Sequence, residues 1–319
     1  MSLPPLAAIT GGTGFVGLHL VPALVRSGFR LRLLVRRPPV THPALVGLNF
    51  EVVQGSLQDD AALAALVRDA DVVIHAAGLI KAHKHADFLR TNRDGALALA
   101  TAARQHAPGA RFLLVSSLAA RAPALSPYAF SKRAAETLVQ QVYKEAQARL
   151  AIIRPPAIYG PWDRETLPLF QATLRPVVPL LSTGKAALIH ADDAADALVA
   201  MAGDAFRPGC YALADERPDG YAMREIFTAA GQATGGRPRF FNLPAAVLLA
   251  AGAASGLWGQ TRRVAPIFTL GKAREILHPD WSVPVCELLP REIHTPRLSL
   301  ATGFSQTVTW YRQAGWMRS

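Results

Sequence analysis

Short apolar runs alternate with longer alanine-rich stretches through the first half of the chain. The runs are rich in leucine and β-branched residues, which predicts strands at Leu6–Thr10, Arg30–Val35, 50–54, Val72–His75, 111–116 and 151–154. The stretches between them predict helices, most clearly at 61–68, Gly95–His106 and 131–148. Strands that alternate with helices in this way indicate a doubly wound α/β fold, in which a parallel sheet is covered on both faces.

A glycine-rich turn follows the first predicted strand, where residues 10–17 read TGGTGFVG. The next residues, from about His19 to Val25, are typical of a helix. Glycines allow a tight turn and a close approach of the backbone, and a helix N-terminus offers free N–H groups to an anion. The pattern therefore predicts a binding site for a dinucleotide pyrophosphate, formed by Gly11, Thr13, Gly14, Phe15, Val16 and Gly17.

Tyr128 and Lys132 lie four residues apart, so on a helix they share one face. A lysine ammonium beside a phenol favours the phenolate and lowers the pKa of the tyrosine. This spacing suits a proton-transfer site, although it is also common on solvated helix surfaces. Its place downstream of Ser116 and Ser117, at a predicted strand end, favours the catalytic interpretation.

Composition limits the class of protein. Half of the 319 residues are hydrophobic, yet no apolar run is long enough to predict a transmembrane helix. The first residues lack the basic region of a secretory signal, which favours a cytoplasmic location. Cys210 and Cys286 predict neither a disulfide framework nor a metal site. We expect no bound metal.

The chain is basic, with a net charge of +11, and most of the excess lies in residues 1–160, which hold 18 Lys and Arg against 9 Asp and Glu. A phosphate-rich cofactor would use part of this charge, and contact with an anionic membrane surface could use more. Nucleic-acid binding is disfavoured, because no basic run is interleaved with aromatic residues.

Six further motifs follow the glycine-rich turn in order. They are VVIHAAG at 72–78, NRDG at 92–95, LVSS at 114–117, YAFSK at 128–132, RPPAIYGP at 154–161 and IHADD at 189–193. With these motifs the chain resembles the extended short-chain dehydrogenase/reductase superfamily. Residues 273–281 and 307–316 resemble the branch of 3β-hydroxysteroid dehydrogenases, dihydroflavonol reductases, the reductase-like subunit of respiratory complex I and bacterial ceramide reductases.

The resemblance implies hydride transfer at a nicotinamide, with roles for particular residues. Tyr128 gives or takes the proton, Ser117 bonds the substrate oxygen, and Lys132 also holds the nicotinamide ribose. Asn92 matches a residue that helps to hold active-site water and backbone geometry, although an ordinary helix N-cap is nearly as good an interpretation. Further cofactor contacts are implied for Tyr128, Lys132, Ala76, Ala77, Gly78 and Pro155.

Cofactor choice is predicted at the end of the second strand. Members that prefer NAD place an acidic residue there, whereas this chain has Arg36 and Arg37. A cation suits the 2′-phosphate of NADP, so we expect NADP(H), with NAD as the alternative. The family usually has Asp where Ser56 stands; Ser56 would bond adenine more weakly, and Leu57 would pack against it.

The chain is predicted to form two domains. Residues 1–156, completed by 187–213, form a Rossmann domain that binds NADP, and residues 157–186 and 214–319 form a smaller lobe that binds substrate. Asp192 or Asp193 is expected to cap a helix at 194–202. The segment 243–257, together with Trp258, Arg262 and Arg263, is either a core helix or an interfacial segment that contacts a membrane.

The leading hypothesis is an NADP(H)-dependent oxidoreductase that acts on the carbonyl or secondary alcohol of an apolar, lipid-like molecule. A 3-keto sphingoid or ceramide is its most specific form, from resemblance alone. A nucleotide-sugar epimerase or dehydratase is the second hypothesis, and the short, apolar connection 118–127 speaks against it. A cofactor-binding assembly subunit is the third. We expect a monomer or homodimer that is cytoplasmic, with peripheral contact to the inner membrane.

Overall fold

The computed structural model describes residues 3–181, 183–262 and 268–318, and for residues 256–262 it describes only the backbone. The strands are β1 (Leu6–Thr10), β2 (Arg30–Val35), β3 (Glu51–Gln54), β4 (Val72–His75), β5 (Arg111–Val115), β6 (Leu150–Arg154), β7 (Ala157–Tyr159), β8 (Val177–Leu180), β9 (Lys185–Ala186), β10 (Leu188–His190), β11 (Gly209–Ala212), β12 (Tyr221–Ala222), β13 (Arg239–Asn242) and β14 (Asp280–Trp281). The helices are α1 (Phe15–Arg26), α2 (Asp60–Val67), α3 (His85–Phe88), α4 (Gly95–His106), α5 (Pro127–Val142), α6 (Leu167–Thr173), α7 (Ala191–Ala202), α8 (Met223–Thr234), α9 (Ala245–Arg262), α10 (Leu270–Leu277) and α11 (Leu300–Gln313).

The main sheet has seven strands in the order β11-β6-β5-β4-β1-β2-β3, and the strands from β6 to β3 pair in parallel. Strands β1 and β4 are buried along their whole length because helices cover both faces of the sheet. Leaving β11 aside, the order is that of a doubly wound dinucleotide fold, so the predicted fold class is confirmed. Ligands of such sheets bind where the strand order reverses, between β1 and β4.

Two compact units make up the chain. The first comprises Met1–Arg154, Ala195–Tyr211 and Leu289–His294, and the second comprises Pro155–Ala194, Ala212–Leu288 and Thr295–Ser319. In the first unit, α2, α4 and α5 pack on the sheet through a core that includes Leu63, Leu99, Phe112, Val139 and Ile152. In the second, aromatic rings dominate a separate core, with Tyr159, Phe170, Phe304 and Tyr311 at its centre.

Most predicted strands and helices are found within one or two residues of their predicted bounds. Helix α1 begins at Phe15, about four residues before the predicted His19. Two further helices are exceptions. Helix α5 begins at Pro127, not at residue 131, because Ser126 caps it by accepting a hydrogen bond from the N–H of Ala129. It also ends at Val142 and is followed by a 3₁₀ segment, Lys144–Arg149.

The second exception concerns α7, which begins at Ala191. Asp192 and Asp193 therefore lie in its first turn, and the prediction that one of them caps a helix at 194–202 is wrong. The buried carboxylate of Asp193 instead accepts hydrogen bonds from the backbone N–H groups of Arg297 and Leu298. It thereby anchors the segment that precedes α11 within the second unit.

No helix in the described part of the chain is both long enough and apolar enough to cross a membrane.

Candidate active site

The glycine-rich turn forms a cradle at the reversal point of the sheet. Gly11 has a φ of +78°, and a Cβ there would lie 2.5 Å from the backbone of Ala76 and Ala77. A Cβ on Gly17 would overlap the carbonyl oxygen of Gly11. Only glycine fits at either position, so the turn after β1 lies directly against the segment after β4.

Helix α1 opens out of this cradle without a side-chain cap. Gly14 is its N-cap residue, no side chain bonds its first N–H groups, and its first turn holds no acidic residue. Such an N-terminus keeps its dipole and its donors available to an anion. Thr13 and Gly14 are exposed, whereas Phe15 and Val16 are half-buried. The cradle has the chemistry that a dinucleotide pyrophosphate requires.

Other residues predicted to contact the cofactor lie at neighbouring strand ends. Arg36 and Arg37 are exposed directly after β2. Ser56 is half-buried, and its Oγ accepts a hydrogen bond from the N–H of Gln58 at 3.3 Å. Leu57 is buried against Gly95 in the core, which leaves it little surface for an adenine ring. Pro155 begins the second unit.

Helix α5 carries Tyr128 in its first turn and Lys132 one turn later. Tyr128 is half-buried, and its ring meets the edge of Phe88 at a centroid distance of 6.2 Å. Lys132 is buried, and its Nζ donates a hydrogen bond to the carbonyl oxygen of Val115 at 2.7 Å. Phe88 has no signal in the sequence, because its contact depends on the placement of the short helix α3.

The pKa of the Lys132 ammonium group is lowered toward neutral pH. Burial lowers its pKa to about 8, and the negative charge of Glu136 opposes part of this shift. At neutral pH the group is therefore mostly charged and easily deprotonated. A cation with this pKa beside a tyrosine is suited to proton transfer.

Asn92 ties three segments of the site together. Its Oδ1 accepts from the N–H of Leu79 at 2.7 Å, and its Nδ2 donates to the carbonyl of Leu79 and to Ser131 Oγ, both at 2.9 Å. It lies inside a π-helical turn, Leu89–Asp94, and is therefore not a helix N-cap. A Cβ on Gly78 would lie 3.2 Å from Asn92 Oδ1 and 3.8 Å from Lys132 Nζ. The loop after β4 therefore lies close to the side chain of Lys132.

The two serines after β5 face different partners. Ser116 is buried and donates to Glu136 Oε1 at 2.5 Å. Ser117 is half-buried and caps the 3₁₀ turn Leu118–Arg121, where its Oγ accepts from the N–H of Ala119 at 3.2 Å. The hydroxyl of Ser116 therefore bonds the buried carboxylate of Glu136, whereas the hydroxyl of Ser117 bonds a backbone N–H of the turn that follows it.

Two buried groups of the site were missed in the sequence. Glu136 follows Lys132 by one helical turn, and that spacing was the available signal. His75 ends β4 beside Thr10 at the end of β1, and its Nδ1 lies 2.7 Å from Thr10 Oγ1. Burial and the charge of Lys132 lower the pKa of His75 to about 3, so its ring is neutral at physiological pH.

The arrangement combines a pyrophosphate cradle after β1 with a hydroxyl after β5 and with a phenol and a lysine on α5. Comparison with known proteins agrees with this chemistry. The model of the NAD dependent epimerase/dehydratase family matches residues 7–213, so the chain belongs to that family, as the resemblance predicted. It is an NAD(P)-dependent oxidoreductase of the short-chain dehydrogenase/reductase type.

Individual relatives extend the match beyond the first unit. The chain is 50% identical over 317 residues to a ceramide reductase of Caulobacter vibrioides, with 98% of this chain and 96% of that protein covered. The crystal structure of gox2253 has a TM-score of 0.77 at 22% identity and covers 99% of this chain and 100% of that one. DesIV, a dTDP-glucose 4,6-dehydratase of Streptomyces venezuelae, has a TM-score of 0.72 at 22% identity over 98% and 99% of the two chains. At such identities the structures support the fold alone.

Proposed function

We propose that this protein is an NADP(H)-dependent reductase of a lipid-like ketone, with a 3-keto sphingoid or ceramide as its substrate. The single observation that carries the proposal is the 50% identity to a ceramide reductase, which extends over nearly the whole of both chains. The alignment includes the C-terminal third, where the sequence motifs of the superfamily are sparse.

The residues of the first unit have complementary roles in this reaction. A bound nicotinamide supplies or accepts the hydride. Tyr128 exchanges the proton with the substrate oxygen, which Ser117 holds by a hydrogen bond. Lys132 supports the phenolate with its charge and binds the nicotinamide ribose. Asn92 fixes the loop after β4 through Leu79.

Preference for NADP(H) over NAD(H) is part of the proposal. Arg36 and Arg37 follow β2, where an acidic residue would accept hydrogen bonds from the ribose of NAD. Both are exposed and have the charge that a 2′-phosphate needs. Gly11, Gly14 and Gly17 would hold the pyrophosphate, with Ala76, Ala77 and Gly78 beside it.

The remaining expectations stay predictions. Residues 1–156 with 187–213 would bind the cofactor, and residues 157–186 with 214–319 would bind the substrate. The protein would be a cytoplasmic monomer or homodimer. Neither the epimerase nor the assembly-subunit hypothesis has a specific observation in its favour within the described structure.

Oxidation of NADPH by the purified protein tests the proposal. We expect turnover with a 3-keto sphingoid or 3-keto ceramide in mixed micelles and none with UDP- or dTDP-sugars, while Tyr128→Phe serves as the inactive control. Epimerisation and dehydration consume no net NADPH, so conversion of the nucleotide-sugars is followed by chromatography of the sugar product. Such conversion without response to lipid ketones would establish the epimerase or dehydratase hypothesis. Cofactor binding without turnover of any of these substrates would favour the assembly subunit.

A further inference from the structure

An apolar face of the second unit lies open to solvent. Leu174, Val177, Phe241 and Val247 are each about half exposed, at 51%, 49%, 47% and 50%. Large apolar side chains occur singly on most protein surfaces, whereas a group of them marks a site of interaction.

Backbone pairing places two of these side chains, Val177 and Phe241, on one face of a small sheet. Strands β8 and β13 pair in parallel, with Val177 beside Arg239 and Pro179 beside Phe241. The other face of this small sheet is buried, where Val178 and Leu180 pack with Phe227. Side chains alternate along a strand, so Val177 and Phe241 share the outer face.

Helix α9 follows β13 along the chain and has an exposed apolar side of its own. Its inner side is packed: Leu248 is buried, and a Cβ on Gly252 would lie 3.0 Å from the carbonyl oxygen of Thr269. Its outer side is exposed and carries small apolar residues besides Val247, namely Ala245, Ala246, Ala250, Ala251, Ala253 and Ala254. An exposed helix surface normally carries charged residues, but residues 240–261 contain none.

Exposed arginines lie in the same segments as the apolar side chains, and these segments contain no acidic residue. Arg175, Arg237 and Arg239 are exposed, and residues 174–181 and 237–255 contain no Asp or Glu. We name the set Leu174, Arg175, Val177, Arg237, Arg239, Phe241 and the outer side of α9 up to residue 254 the arginine-rimmed face.

We propose that the arginine-rimmed face docks on the surface of an anionic lipid bilayer, with Phe241, Val247 and the alanines in the interface and the arginines at the phosphates. A basic rim around an apolar centre is the arrangement that interfacial helices use. A second copy of this chain fits less well, because a two-fold interface would place the same arginines against each other.

The proposal favours the interfacial alternative for the segment 243–257. The described side chains of α9 are packed on one side only, so residues 245–254 do not form a core helix enclosed on all sides. Leu257, Trp258, Arg262 and Arg263 lie outside the residues whose side chains are described, and the proposal does not use them.

Vesicle sedimentation with the full chain tests the proposal without substrate or cofactor, so its result is independent of the proposed reductase activity. We expect binding to vesicles of equal parts phosphatidylcholine and phosphatidylglycerol, weaker binding as salt rises, and little binding to phosphatidylcholine alone. Arg175→Gln and Arg239→Gln should each weaken binding about fivefold, the fold-change that corresponds to about 1 kcal/mol per basic residue near an anionic surface.

Substitutions of apolar residues by aspartate test the centre of the arginine-rimmed face. Phe241→Asp and Val247→Asp should each weaken binding by about tenfold or more, since each removes buried apolar area and adds a repelled charge. Val285→Asp, at a side chain that is 80% exposed elsewhere in the second unit, and Arg26→Gln on α1 are the matched controls and should bind as the wild type does. Thermal unfolding of every variant verifies its fold, and Val247→Asp alone suffices if Phe241→Asp does not fold.

Three results would overturn the proposal. The wild type could fail to bind anionic vesicles, or the face variants could bind as well as the controls do. Sedimentation velocity could also reveal a dimer that Phe241→Asp dissociates, with no binding to lipid. The last result would assign the face to contact between copies of this chain.

Discussion

Arg154 donates two hydrogen bonds to Glu136, from Nε to Oε1 at 2.9 Å and from Nη2 to Oε2 at 2.6 Å. The carboxylate is buried and also accepts from Ser116. This pair connects the ends of β5 and β6 to the helix that carries Tyr128 and Lys132. It fixes the helix against the strand ends and sets a negative charge one turn away from Lys132.

Glu136→Gln should lower the free energy of unfolding by about 3–5 kcal/mol, because the guanidinium of Arg154, whose side chain is only 13% exposed, loses the buried carboxylate that it pairs with. The loss of negative charge should also lower the pKa of Lys132 below its value of about 8. The alkaline limb of the pH–rate profile should therefore move to lower pH. Urea unfolding and a pH–rate profile measure the two effects.

Arg133→Gln is the control for this change. Arg133 lies 3.4 Å from the same carboxylate, but its side chain is 45% exposed, so its removal should cost less than about 1 kcal/mol. Equal effects of the Glu136 and Arg133 variants would refute the role assigned to the buried pair.

Lys132→Met should abolish turnover yet stabilise the protein at neutral pH. Burial lowers the pKa of Lys132 from 10.5 to about 8, so between these values the unfolded chain binds more protons and wild-type stability rises with pH. Below pH 8 the cost of the buried charge is at most about 3 kcal/mol, part of which the hydrogen bond to Val115 offsets. The advantage of the variant should therefore shrink as the pH approaches 10.5.

Unfolding curves for Lys132→Met at about pH 7 and pH 10 measure this difference. Lys144→Met makes the same change at an exposed lysine and is the control for the substitution itself. A stability difference at Lys132 that does not change with pH would show that the charge is not the cause.

Tyr128→Phe should reduce turnover by about 10²–10⁴-fold, the usual contribution of acid–base catalysis, and should leave cofactor binding nearly unchanged. The phenol is needed only for the proton, whereas the cradle and Lys132 hold the cofactor. Tyr211→Phe is the control, since its hydroxyl bonds the carbonyl of Pro208. Retention of more than about a tenth of the wild-type rate would exclude proton transfer by Tyr128.

Arg36→Asp should weaken NADPH binding by about 1–3 kcal/mol, the range for the loss of a charged hydrogen bond, and should not weaken NADH binding. Calorimetric titration of both cofactors measures the change. Arg26→Asp, at an exposed arginine at the end of α1, should change neither affinity. Equal affinity of the wild type for NADPH and NADH would remove the basis of the predicted preference.

The sequence by itself determined the doubly wound sheet and the approximate position of six of the seven strands of the main sheet. Buried parallel strands such as β1 and β4 are continuously apolar, and glycines mark the cradle, so local pattern is sufficient there. It also determined that Tyr128 and Lys132 share a helix face, because that relationship is local to one helix.

The tertiary structure decided every relationship that spans distant segments. Three such contacts join residues from different segments. Glu136 pairs with Arg154, Asn92 forms hydrogen bonds with Leu79, and Thr10 contacts His75. The exposed side of α9 likewise depends on what packs against the helix, and an apolar run alone does not distinguish a core helix from a surface one. Burial and charge–charge interactions, which set the pKa of Lys132, arise only when the chain is folded.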